Sequence, residues 1–439
     1  MSAPIELESL AFDPADARAA LDQLPTSAAV FALCFDRVPM DRSSSMGQGA
    51  EPYIGRTPNL RGRLERLLVP SPRHPRRLQL AGSVREIRWR LTGSEFESLL
   101  AQFSLLENVY GPKANERMHL RAPTFVRFLG SNEYPRVTVT HRPSLREAEW
   151  AYGPFQSRAA AERYVDEALK LFLLRRCTDD LDPHPDHPGC VYSEMKMCLA
   201  PCYQGCTDER YGEEAATVER FLATRSESRL VTLRSERDAA SANLEFEQAA
   251  ALHAQLQRVE SVRALAPELV RPLSQLRAVI LQAAANAGEV AVFLYENGRL
   301  SGPAGFSTLG MRIQNELSGS TSLFAQPMAI EAIPEAPSGE TLLVAEAAKE
   351  ATPPKIARGL LEARMDAVLA ALGEASEAPS TAVRQGHLAL VKRWYYRPEV
   401  RRSGEIFFPD EEGRWPVKAL LRGVGRVAAS GLKTVASGS

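Results

Sequence analysis

The chain has 439 residues, 44% hydrophobic and 24% charged, with a formal net charge of −1. That is material for about two to four domains with ample cores, and the balance is that of an ordinary soluble protein. No apolar run reaches the length of a membrane span, and the opening MSAPIELESLAF has neither a basic region nor a long apolar run. These features argue against a membrane-spanning helix and against secretion, and lead us to expect a cytoplasmic protein. The charge is unevenly spread. Ten arginines stand against Glu65 and Glu86 between Tyr53 and Arg90, and eleven Lys/Arg against five acids from Arg384 onward. Two basic segments in a neutral chain point to a polyanion partner, commonly nucleic acid, although solvated helical faces produce such runs as well.

Residues 1–24 predict a lead-in helix, with Asp13 as N-cap, Pro14 at the first position and an apolar stripe through Ala20 and Leu21. AVFALCF (29–35) reads as a strand, and after a polar loop a second strand ends at Pro52–Gly55. In RTPNLRGRLERLL, Leu60, Leu64 and Leu67 recur at helical spacing, while Arg61, Arg63 and Arg66 occupy other faces. VREIRWRLT (84–92) alternates as a strand does. SEFESLLAQFSLLENV then reads as an amphipathic helix, with Ser94 as N-cap and Glu97 at the capping-box position. Two short strands, FVRFL and RVTVT, follow. The expected fold class is α+β, a small antiparallel sheet with helices packed on it.

Five of the six cysteines then fall between Cys177 and Cys206, separated by twelve, seven, three and three residues. Pro183, Pro185, Pro188 and Pro201 prevent a continuous helix there, so the loop needs a disulfide, a metal or a cluster to hold it. In a reducing compartment metal or Fe–S ligation leads, and a set of thiolates suits either tetrahedral zinc or a cubane cluster. Helical signal resumes over 208–262. Its last part has two amphipathic halves meeting near Asn243, lined by Leu230, Leu233 and Arg237, then by Leu244, Ala249, Leu252, Leu256 and Val259. A pair this short wants a partner for its apolar stripe. Residues 276–306 read as strands around a turn at Asn297-Gly298. An Ala/Glu/Pro-rich stretch (331–383) is part helix, part linker, and a basic, aromatic tail closes the sequence. In that tail Lys392, Arg393, Arg397, Arg401 and Arg402 interleave with Trp394, Tyr395 and Tyr396, and Phe407 and Phe408 follow. These are the ingredients of single-strand binding, or else of a small folded element such as a hairpin over RSGEIFFPDEEGRWPV.

LPTSAAVF, YIGRTPNLRGRL and SEFESLL, in that order, resemble the GIY-YIG nuclease domain. With YPRVTVT, YGPFQSRAAAERYVDEALKLFLLRRC and CLAPC, roughly residues 24–262 resemble a truncated form of the bacterial UvrC family, the nuclease component of the nucleotide excision repair excinuclease. The resemblance implies that Tyr53 positions or activates the nucleophile, that Arg63 stabilises the phosphate and that Asn115 supports the site. Arg56, where the family usually has lysine, Arg61, Arg63 and Arg66 would contact DNA. Two positions depart from the family. Phe31 replaces a tyrosine, and the metal-binding glutamate falls on Gln102, or on Phe103 if the alignment slips by one. A neutral amide is a poor ligand for Mg²⁺. An active protein would use Mg²⁺ or Mn²⁺ to nick damaged DNA 3′ of the lesion. The alternative is a catalytically impaired adaptor that keeps DNA contact and docking.

Cys177, Cys190, Cys198 and Cys202 would by resemblance hold a [4Fe–4S] cluster, with zinc as the alternative and Cys206 outside the family spacing. NLEFEQAAALHAQL resembles the UVR motif, through which the family pairs with a matching hairpin on UvrB, its excinuclease partner. Leu244, Phe246, Ala250 and Leu252 would then make the contact. The family's second, RNase H-like nuclease domain and its helix-hairpin-helix are not visible. The expected order is a lead-in helix (1–24), a nuclease-like domain (25–145), a cysteine-rich region (146–224), a UVR hairpin (225–262), a strand-rich remnant (270–330), a linker with helix (331–383) and a basic tail (384–439).

Overall fold

The computed structural model describes residues 6–35, 51–69, 80–142, 150–178, 181–309, 311, 313–314, 321–322, 358–374 and 379–436. Most of the Ala/Glu/Pro-rich stretch and the arginines at 73, 76 and 77 lie outside them. In chain order the elements begin with β1 (Glu8–Ala11), α1 (Ala17–Asp22), β2 (Ala29–Cys34), β3 (Tyr53–Thr57), α2 (Leu60–Leu68), β4 (Glu86–Leu91), α3 (Glu95–Tyr110) and α4 (Ala114–Arg117). Then come β5 (Thr124–Phe128), β6 (Val137–Thr140), β7 (Ala151–Phe155), α5 (Arg158–Leu169), α6 (Val191–Glu194), α7 (Asp208–Ala223), α8 (Glu227–Ala242), α9 (Phe246–Ala264) and β8 (Arg271–Pro272). The remainder is β9 (Ala278–Ala283), β10 (Glu289–Glu296), β11 (Arg299–Ser307), the short ladder β12 (Ile313–Gln314) with β13 (Thr321–Ser322), α10 (Arg358–Gly373), α11 (Thr381–Tyr395), β14 (Glu405–Phe407) and α12 (Val417–Ala436). The chain divides into two units: 1–118 with 277–379 and 399–439, and 119–276 with 380–398.

The first unit contains an antiparallel sheet in the order β1-β4-β2-β3. Every residue of β2 is buried, because helices cover both faces of this central strand. Phe31, Leu33, Leu60, Leu64 and Leu67 form one core with α1 and α2, while Val30 meets Ala101 and Leu105 of α3 on the other side. The lead-in is part strand. Asp13 and Pro14 do start a helical turn, as their capping chemistry predicts, but Glu8–Ala11 pairs with β4 before it. α3 starts where expected: Ser94 Oγ accepts from Glu97 N–H at 3.1 Å, and Glu97 reaches back to Gly93 N–H at 2.8 Å rather than to the cap residue itself.

A second sheet of this unit runs β11-β10-β9-β14. Asn297 and Gly298 make its tight turn at φ 52° and 77°, and α10 and α12 bury Val279, Leu281, Val292, Met365, Leu420 and Val424 between helix and sheet. Gly93 passes so close to this sheet that an added Cβ would stand 2.0 Å from the Ala284 carbonyl carbon. The tail does not fold as a hairpin on itself. Glu405–Phe407 instead pairs antiparallel with β9, so Phe407 joins a core and not an open stacking surface.

The other unit is built on the sheet β6-β5-β7-β8. Val126, Phe128, Tyr164, Phe172, Tyr211 and Phe221 make its core with α5 and α7, and Leu230, Leu233, Leu256 and Val259 attach the base of the α8–α9 hairpin. α11 packs on β7, with Trp394 only 1% exposed and Tyr396 donating its hydroxyl to Pro154 O at 2.8 Å.

Candidate functional site

Three sequence-marked regions can be built from their residues. The first lies on β3 and α2. Tyr53 opens β3, and Arg63 sits one turn into α2, whose N-terminus is capped by Asn59 Oδ1 accepting from Gly62 N–H at 2.8 Å. The fold brings the two together: Arg63 Nη2 donates to the Tyr53 hydroxyl at 3.4 Å. Phe31 faces Gly55 across the β2–β3 ladder, and its ring lies 6.1 Å from that of Tyr53. A Cβ on Gly55 would meet the tip of the Phe31 ring at 2.7 Å, so the ring in this position favours glycine at 55. Asn115 lies in α4 with its side-chain oxygen buried.

The other arginines have protein partners. Arg56 pairs with Glu95 at 3.3 Å, Arg61 donates to the carbonyls of Leu24 and Asp22 at 2.8 Å each, and Arg66 donates to Gly62 O at 2.9 Å. Gln102 is half-buried beside the Ala101–Leu105 row that packs on Val30 and Ile54. Phe103 is 1% exposed and wholly part of the packing. Neither position supplies a carboxylate, and the neighbouring Glu95 is held by Arg56, so these donors do not fit a hard divalent cation.

In the second region, the cysteine loop is tied by a buried arginine to the unit of residues 119–276 with 380–398, the middle unit. Arg175, 3% exposed, donates from Nε to Tyr134 O at 3.0 Å and from Nη1 to Cys177 Sγ at 3.6 Å. Its backbone N–H donates to the Tyr211 hydroxyl at 3.2 Å, which itself donates to Pro135 O at 2.8 Å. Cys190 caps α6, and Cys202 lies in a single helical turn (Pro201–Tyr203) flanked by Ala200 and Gln204 in left-handed conformations. That bend lets Ala200 N–H donate to Cys198 Sγ at 3.3 Å. All six cysteines are free thiols.

Among the described residues, no three or more His, Cys, Asp or Glu side chains are gathered as a metal site. The four family-spaced thiols nevertheless lie within electrostatic reach of one another. Burial first, then Cys177, Cys190 and Cys202, pushes the Cys198 thiol up to about 11. N–H groups are thus directed at the sulfurs of Cys177 and Cys198. Nothing in the spacing of the sequence marks Arg175 as the residue that ties this loop down.

The third region is the α8–α9 hairpin. At its base Glu227 takes both Arg263 and Arg234, at 2.5 and 3.0 Å. At its bend Leu244 sits at φ 63°, and Leu244 and Phe246 are 71% and 66% exposed. Ala250 is exposed, whereas Leu252 packs partly against the core. The apolar stripe thus divides: its lower part is buried against α5 and α7, and its tip has no cover among the described residues. No helix among the described residues is long and apolar enough to cross a membrane.

Residues 125–221 match the family described as UvrC/Cho excinuclease, middle domain, and residues 227–262 match the UvrB/uvrC motif. Among curated proteins, the UvrABC system protein C of Alcanivorax borkumensis is 30% identical over 49% of this chain and 35% of its own length. That of Desulforudis audaxviator is 32% identical over 57% and 40%, and that of Ruminiclostridium cellulolyticum 28% over 57% and 41%. The matched stretch thus spans little more than a third to two fifths of these relatives. No solved structure matches the chain.

Proposed function

We propose that this chain, a relative of the UvrC family through its middle domain and UVR motif, acts as a UvrC-like excinuclease protein of nucleotide excision repair in the cytoplasm. The observation that carries the reading is the hairpin tip. Exposed Leu244 and Phe246 lie within residues 227–262, which match a motif named for both UvrB and UvrC and come after the matched middle domain. Two exposed apolar side chains on a hairpin of this kind suit pairing with a second helical hairpin, so UvrB is the partner and damaged DNA the substrate.

The GIY-YIG-like corner bears on what happens to that DNA. Arg63 and Tyr53 form a donor pair for a phosphate, but Gln102 and the buried Phe103 leave no carboxylate where the family holds its metal. This favours DNA contact with weak hydrolysis over efficient nicking 3′ of the lesion. The cysteine loop suits a [4Fe–4S] cluster better than zinc by resemblance. Protein purified without oxygen should be brown, with thiolate-to-iron charge-transfer absorption. Colourless protein with stoichiometric zinc would replace the cluster with zinc at the same thiols, and colourless protein without metal would remove both.

The deciding experiment titrates UvrB against the chain and assays Mg²⁺-dependent nicking of a lesion-bearing duplex. Phe246→Ala should weaken UvrB binding by about 2 kcal/mol. Unchanged affinity would reject docking at the tip. Gln102→Glu should raise nicking above the unaltered chain. Robust nicking by the unaltered chain, abolished by Tyr53→Phe, would overturn the weak-hydrolysis reading while leaving the repair assignment in place.

A further inference from the structure

The middle unit carries a group of cations that neither the hairpin nor the cysteine loop uses. Between α7 and α8 the chain turns through Arg225 and Ser226, both left-handed at φ 50° and 72°. Arg225, Ser226, Tyr164, Tyr152 and Arg263 line one recess, and Arg225 Nε is buried without a hydrogen-bond acceptor among the described residues. α7 packs against β8, the edge strand, where Arg271 pairs with Gly153 of β7 and donates from Nε to Glu268 O at 3.0 Å. The next residue of β7, Pro154, accepts the Tyr396 hydroxyl, which brings the C-terminal end of α11 to the same edge. Lys392 and Tyr395 are three residues apart there and share a helical face.

Among the described residues, Glu268 lies near both Arg225 and Arg271, Glu227 is already engaged by Arg263 and Arg234, and Lys392 lies within electrostatic reach of another cation, Arg121. Burial, and then repulsion from Arg225, holds Arg271 down at about 10, and burial also depresses Arg225 and Lys392. Half-buried like charges that repel one another cost stability, and a bound anion offsets that cost.

We propose that Arg225, Arg271, Lys392 and Arg121 form a seam that binds the phosphodiester backbone of nucleic acid. Guanidinium groups match phosphate oxygens in bidentate geometry, and contacts of this kind position a duplex without reading its sequence. Cations spread over four segments suit a repeated phosphate better than a single small anion. The identity of the polyanion rests on the repair reading above; the clustering of cations does not.

The test measures binding of fluorescent duplex DNA to the full chain over a salt series, together with thermal unfolding. Arg271→Gln and Lys392→Gln should each weaken binding several-fold, equally for unrelated sequences, and lower the slope of log affinity against log salt by about 1. Arg271→Lys should keep the slope. The unfolding midpoint should hold or rise in the glutamine variants, because repulsion has been removed. A lower midpoint with unchanged DNA affinity and slope would make these cations structural ties to the end of α11 and overturn the proposal. UvrB binding, measured on the same variants, should stay intact; its failure in the unaltered chain would count against the repair reading and not against the seam.

Discussion

At position 97 the start of α3 and the packing beneath it make opposite demands on one carboxyl group. Glu97 is 4% exposed, accepts from Gly93 N–H and stands 3.9 Å from Arg90. Burial wins and pushes its pKa above the usual carboxylate range, against the lowering effects of Gly93 and Arg90. A carboxyl raised in this way contributes its full stability below the unfolded value of 4.5 and loses it as pH rises through the folded one. Glu97→Gln keeps an acceptor for Gly93 and removes the charge. Its urea midpoint should therefore match or exceed that of the unaltered protein near pH 7, with the difference shrinking or reversing near pH 4.5. A lower midpoint near pH 7 would mean that the Arg90 pairing outweighs burial. The sequence showed this residue only as a capping-box glutamate. Its burial comes from packing against a sheet whose neighbours no local pattern reveals. The resemblance marked Tyr53 and Arg63 separately, and their contact at 3.4 Å emerges only in the fold.

Elements with local periodicity were legible almost to the residue. The hairpin expected to bend near Asn243 runs through Glu227–Ala242 and Phe246–Ala264, since apolar spacing at helical period acts locally. Strand partners were not legible. Glu405–Phe407 finds β9 more than a hundred residues back, and β1 was absorbed into a predicted helix because four residues carry too short a pattern. The bend itself supports a sharper expectation. Leu244 holds a left-handed conformation that costs a residue with a Cβ about 1–2 kcal/mol, while 71% of it faces solvent. Leu244→Gly should therefore raise stability by about 1 kcal/mol. If the tip is the docking surface, the same change should weaken UvrB binding. Loss of stability together with unchanged binding would place both the strain and the contact elsewhere.

For the whole molecule, sequence order and spatial order part company. The expected series of consecutive segments becomes two units, each assembled from distant stretches, with Ser380–Pro398 returning to the unit that otherwise ends at Leu276. That stretch read either as a basic tail with rings available for stacking or as a small folded element, because interleaved Lys, Arg and aromatic residues look alike on a tail and on a helix with one buried side. In the fold Trp394 is 1% exposed, and only the cationic side remains for a ligand. Removing a buried tryptophan costs about 3–5 kcal/mol, whereas removing an exposed one costs little. Trp394→Ala should therefore lower the unfolding transition of the middle unit, although it lies more than a hundred residues beyond that unit's last strand. Hydrogen exchange resolves where the effect falls: protection should drop in β7 and α11 and persist in β9–β11. If Trp394→Ala leaves stability unchanged and lowers only DNA binding, the ring is a stacking surface and the packing of α11 on β7 contributes little to the fold.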